Sequence, residues 1–309
     1  MAAIALAPAQ SPPDVQLQHL YTFGSKPGIH PPRILNRRPV KAALGEGDHP
    51  WGLAVPVAVT TDRRNRVWIT DTGTASVHVF DKASGAYREF RRAGDFPFLQ
   101  PSGIASDEPG RVYVADAATG AVFVFDENGE YDRALVKPAS GLLESPSAIA
   151  ISDDQRTVYV ADSRRNVVLA LNREGEVNTT IPLPPELSEP SGLVVIRNQI
   201  YVLGGRHHKI GGFSPAGFAR GPLQFDGVLF PTAFAWDRAR RRFLVANPRW
   251  MVVQVFDEDA RNLGVFGHLG DAVDQMQHVD GVHVDAQGLV YVVDSRGGKV
   301  LVFAESPPR

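Results

Sequence analysis

The chain has no cysteine, which excludes disulfides, thiolate zinc sites and a cysteine nucleophile while leaving the redox compartment open. Long apolar runs are missing too, and none approaches the roughly 18 residues a membrane-crossing helix needs. Charge of one sign is absent: 32 Lys and Arg stand against 34 Asp and Glu, a net of -2. Nothing global therefore favours nucleic acid or an anionic membrane, and any charge argument has to be local. Helical periodicity is nowhere sustained, and neither the metalloprotease pattern H-E-x-x-H nor the nucleophile elbow G-x-S-x-G occurs.

Hydrophobic residues make up 43% of the 309, enough for a sizeable core. They are arranged in repeats. A β-branched and aromatic run ending in a small polar residue recurs as Val67–Asp71, Val112–Asp116, Val158–Asp162, Ile200–Gly204, Phe243–Asn247 and Val290–Asp294. The last residues lie 45, 46, 42, 43 and 47 positions apart, the period of a four-stranded propeller blade. Upstream of each run a short segment starts at Pro56, Pro101, Pro146, Pro190 and Pro231, with His278-Val279 replacing the proline in the sixth repeat. Downstream, runs such as Val77–Asp81, Val122–Asp126 and Val300–Ala304 read as a third strand.

Three strands per repeat joined by tight polar turns form an antiparallel meander, and open meanders expose edges that ring closure removes. Six repeats thus predict an all-β, six-bladed β-propeller. The sixth repeat lacks an outer strand, whereas Val15, Leu17, Tyr21 and Phe23 alternate ahead of the first, so an N-terminal strand is expected to close the ring. The expected organisation is one propeller over residues 14–304. Its closing strand covers 14–23 and its blades start near 56, 101, 146, 190, 231 and 278. Residues 1–13 form a disordered or signal-like start and 305–309 a tail.

The sequence P-x-G-[IVL]-A, then [IV]-Y-V-A-D, then V-x-V-F-D resembles the NHL repeat over about Pro50 to Phe303. More narrowly, the proline-rich start (Pro8 to Pro13) and the first blade resemble bacterial NHL propellers made for export, often as lipoproteins. That resemblance implies an extracytoplasmic location, periplasmic or lipid-anchored. It adds no activity.

The repeat's aspartates, Asp71, Asp116, Asp162 and Asp294, are expected to tie down turn N–H groups rather than bind a metal. Turns after the second strands carry no cation in blades 1 and 2. In blades 3 to 6 they carry Arg164-Arg165, Arg206-His207-His208-Lys209, Arg249-Trp250 and Arg296 with Lys299. Arg165, Arg206, His207, His208, Arg249, Trp250, His278 and Arg296 are therefore the candidate ligand-binding residues, for a protein or small anionic ligand. Animal NHL propellers bind single-stranded RNA, but the near-neutral chain and the export resemblance stand against RNA here. No cofactor is expected for such a non-catalytic scaffold.

The alternative is a hydrolase or lyase with a divalent ion in the channel. Gluconolactonase-like lactonases hold calcium there, for which Glu144, Glu189, Asn247 and Asp280 are the candidates in this chain. The amidating lyase holds zinc, for which His278, His207, His208 and His49 are candidates. Convergence of at least three such side chains would discriminate the two readings.

Overall fold

The computed structural model describes residues 17–24 and 52–305. They form six four-stranded antiparallel sheets, a two-stranded hairpin (Arg92–Ala93 with Phe96–Pro97) and one turn of 3-10 helix at Pro185–Leu187. The sheets are the six blades of a β-propeller. Inner strands run over Pro56–Thr61, Pro101–Ser106, Pro146–Ile151, Pro190–Ile196, Phe234–Asp237 and Val279–Val284. The fifth starts three residues after the expected proline, because Pro231, Thr232 and Ala233 belong to the incoming loop. Each blade also has a fourth, outer strand, such as Tyr87–Phe90 or Val177–Pro182.

Second and third strands are buried on both faces, since neighbouring blades pack on each side of them. Tyr113 and Ala115 enter the core between blades 2 and 3, whereas Val112 and Val114 enter the one between blades 1 and 2. Hence these runs read as continuous apolar sequence rather than as alternation. Every seam between adjacent blades holds one such core cluster. Hydroxyls on or beside the inner strands also stitch blade to blade. Ser102 donates to the Pro146 carbonyl (2.6 Å), Ser147 to Pro190 (2.5 Å) and Thr232 to Val279 (2.6 Å).

The ring closes between its own ends. Leu17–Gly24 pairs antiparallel with Lys299–Glu305, the third strand of blade 6, and so becomes that blade's outer strand. Closure by an N-terminal strand is as expected, although residues 14–16, and Val15 with them, lie outside the described residues. Glu305, expected in the tail, is the last residue of the strand because Leu17 pairs with it.

The expected alternation needs one correction. The register shifts between His19 and Tyr21, leaving Leu20 as the extra residue of a β-bulge. A single inserted residue reverses which face the following side chains take. Leu17 thus packs in the core between blades 5 and 6, while Tyr21 and Phe23 pack in the one between blades 6 and 1. One short strand thereby contributes to the two seams that flank blade 6.

Phe23 is 6% exposed and its ring lies 4.7 Å from that of Phe80, whereas Leu20 is 41% exposed. Phe23→Ala is expected to cost about 3–5 kcal/mol of stability and Leu20→Ala less than about 0.5 kcal/mol. Equilibrium denaturation checks this, and comparable losses for both would contradict the bulge.

Candidate binding face and channel

Two families of loops meet on one face of the ring: the turns from second to third strands, and the connections that enter each inner strand. The aspartates hold them together. Asp71 accepts from the backbone N–H groups of Ala54 (2.6 Å) and Val55 (3.0 Å) in the incoming loop, and from Gly73 (2.8 Å) and Thr74 (3.0 Å) in its own turn. Asp116 and Asp162 repeat the arrangement with Leu99, Gln100, Ala118 and Thr119, and with Glu144, Ser145, Arg164 and Arg165. Asp294 takes Gln277, His278 and Gly297. These carboxylates are latches, as expected.

Blades 4 and 5 depart from the pattern. Leu187 crowds the place where Gly204 would carry a side chain, its Cα only 2.6 Å from a built Cβ. Asn247 instead donates to the Gly227 carbonyl (3.1 Å) and to Gln254 (2.8 Å), leaving its own Oδ1 buried without a partner.

The turns share one backbone shape. Their fourth residue past the latch position has positive φ in every blade: Ala75, Gly120, Asn166, His208, Met251 and Gly298. This common frame puts Arg164, Arg206, Arg249 and Arg296 at the same position, two residues past the latch, in blades 3 to 6. All four are exposed. Arg164 is not among the candidates chosen from sequence; the register from each latch residue is the signal that finds it.

The other candidates have individual settings. Arg165 is also exposed, but its guanidinium donates to the Leu142 carbonyl (2.5 Å). Arg206 stands 3.7 Å from Glu189 and, with His207, lines a groove of about 350 Å³ floored by Leu183, Pro184 and Pro185. His208 donates from Nδ1 to the Pro231 carbonyl (3.2 Å) and meets the Phe230 ring edge-on at 5.6 Å. The Arg249 guanidinium lies over the Trp250 ring at 5.4 Å. Lys299, grouped with Arg296 on sequence grounds, belongs elsewhere: it is 1% exposed and its Nζ donates to the Ala272 carbonyl (2.6 Å). It crosslinks the turn to the incoming loop and presents no charge to solvent.

A channel of about 340 Å³ opens at the centre of this face, lined by the inner strands. The equivalent mouth positions hold Val57, Ser102, Ser147, Ser191, Thr232 and Asp280, so one carboxylate stands among hydroxyls. Asp280 accepts from His278 Nδ1 at 2.8 Å. Among the described residues, no three His, Asp or Glu side chains gather as a metal-binding group. His49 lies outside the described residues.

The opposite face mixes open and paired charges: Arg63, Arg64 and Arg156 are exposed there with no ion-pair partner among the described residues, whereas the Arg238–Arg242 turn is fully paired. Arg240 and Arg242 reach Glu305 (2.8 and 3.0 Å), Arg241 reaches Glu258, and Arg238 pairs with Asp153. Between blades 6, 1 and 2 a second cavity, of about 350 Å³, is lined by Asp62, Asp107, Asp285 and His283. His283 is hydrogen-bonded to Thr61 (2.9 Å), and burial depresses its pKa to about 4, with Asp285 opposing and Lys82 adding to the shift.

This architecture is that of six-bladed β-propellers, and solved structures agree. No protein-family model matches the chain, and no curated protein matches it in sequence. Among solved structures, a streptogramin B lyase is similar at 14% identity and a TM-score of 0.60, covering 82% of this chain and 80% of that one. The virginiamycin B lyase from Staphylococcus aureus, in its selenomethionine form, gives 12% identity and 0.60 over 83% and 85%. Kuenenia stuttgartiensis hydrazine synthase gives 17% and 0.58 over 83% and 77%. At such identities the likeness is one of fold.

His283 has a lower pKa folded than the ordinary 6.5, so the unfolded chain binds more protons between those values. Stability from this source is complete above about pH 6.5 and is lost as pH falls toward about 4. Because His283 is only part-buried at the cavity wall, the loss should amount to about 1–2 kcal/mol. The melting temperature of His283→Gln should therefore depend less on pH across that window than the parent's. Parallel profiles would contradict this.

Proposed function

We propose that the chain is a non-catalytic binding propeller of NHL-repeat type, exported by a bacterium, which presents the latch face to a protein or small anionic ligand. Four exposed arginines at one equivalent turn position, gathered on one face, carry this reading. In the Arg238–Arg242 turn every arginine meets a carboxylate, whereas Arg164, Arg249 and Arg296 have no ion-pair partner among the described residues and Arg206 has only a loose one. Charges neutralised within the fold contribute to the fold, and charges left open are available to a ligand. Trp250 beside Arg249 adds an apolar platform of the kind that makes binding hot spots. The repeats support the NHL and export assignments, and the reading needs no cofactor.

A second reading, a lyase or hydrolase, is favoured by the His278–Asp280 pair at the channel mouth. Asp280 holds Nδ1 and leaves Nε2 for a proton of a substrate, the usual geometry of a histidine base oriented by a carboxylate. Two of the similar structures are lyases. Among the described residues only this pair comes together at the mouth, short of the donor set a catalytic zinc or calcium requires.

Binding to poly-L-glutamate tests the first reading. Arg249→Ala with Trp250→Ala should weaken it at least about tenfold at an unchanged melting temperature, and added salt should weaken it further. Arg238→Ala with Arg241→Ala should leave it unaltered. Equal effects on the two faces would contradict the proposal, and turnover of a lactone panel that His278→Gln abolishes would establish the second reading instead.

A further inference from the structure

The loop entering blade 5 carries two large apolar side chains into solvent on the latch face: Leu229 is 51% exposed and Phe230 is 61% exposed. Phe230 is also held at a φ of 61°, a backbone conformation that bulky residues adopt rarely and at a cost. The loop is nonetheless anchored. Phe225 is buried against Phe256 (4.8 Å) and Phe243 (5.2 Å), Val228 N–H donates to the Phe225 carbonyl (3.2 Å), and Asn247 holds Gly227. The His208 ring supports Phe230 from the blade 4 turn. Anchoring below and strain at the tip together make Phe230 a fixed outward projection rather than a side chain that has failed to fold inward.

In ring order the loop stands between the blade 4 turn bearing Arg206 and the blade 5 turn bearing Arg249 and Trp250. An apolar tip between open cations matches a partner that offers an apolar side chain between carboxylates. An anionic bilayer fits less well, because exposed Asp226 lies in the same loop and Glu189 on the same face, where a uniform negative surface would repel them.

We infer that the seam between blades 4 and 5 is a docking site for a protein segment carrying Asp or Glu close to a large aromatic or aliphatic side chain. This rests on the binding reading above and names the partner's chemistry for that face. Leu229 and Phe230 meet the apolar side chain, and Arg206 and Arg249 meet the carboxylates.

Selection from a displayed library of random short peptides tests it. Enriched peptides should place Asp or Glu beside Phe, Trp or Leu. Phe230→Gly, which relieves the positive φ and so preserves the loop, should weaken their binding at least about tenfold without lowering the melting temperature. Arg249→Ala should weaken it as well. Acidic peptides that lack a large apolar residue and bind Phe230→Gly as tightly as the parent would overturn this inference while leaving the basic-face reading standing. No enrichment at all would overturn this inference alone, and retention on phosphatidylserine vesicles instead would overturn both.

Discussion

Antiparallel pairing between the two ends of the chain is the constraint on which the other features rest. Without Leu17–Gly24, blade 6 would have three strands and expose the long edge of Lys299–Glu305. With it, no blade is terminal, and each inner strand has a neighbour on both sides. The bulge at Leu20 lets this single strand serve two seams. Hence the six loops of the latch face are held at fixed positions around one axis, which a set of independently moving loops would not be.

The same economy appears in the polar groups. Where a blade supplies a latch aspartate, backbone N–H groups that would otherwise be unsatisfied converge on a single carboxylate. On the opposite side the aspartates Asp62, Asp107, Asp237 and Asp285 each pair with a cation: Arg66, Arg173, Arg242 and Lys82. Most of the chain's regularly placed charge is thus consumed in holding turns and seams. Function has to be sought in the charge that is left over.

Blade number, closure and latch role are legible in the sequence because they follow from repeated patterns of burial and turn chemistry. The outer strands are less so: a segment such as Val177–Pro182 is mostly exposed, and little apolar signal survives there. The bulge is invisible because Leu20 is as apolar as the residues around it, and only pairing reveals it as the surplus one. At the site, the arginines can be named from sequence, but Lys299 and Arg296 cannot be told apart without knowing which of them the incoming loop covers. Leu229 and Phe230 escape notice for the opposite reason: an apolar pair before a proline reads as core, and only the anchoring of Phe225 beneath it turns the pair outward.

If the latch face, and not the opposite one, is where this propeller meets another molecule, contact should be confined to one side of the ring. Hydrogen exchange with and without bound poly-L-glutamate reads this, since backbone amides report on both faces in one experiment. Protection confined to residues 204–209, 226–233 and 247–252 is the expected result. Protection at 238–242 with none on the latch face would show that the ligand docks on the wrong side for everything proposed above.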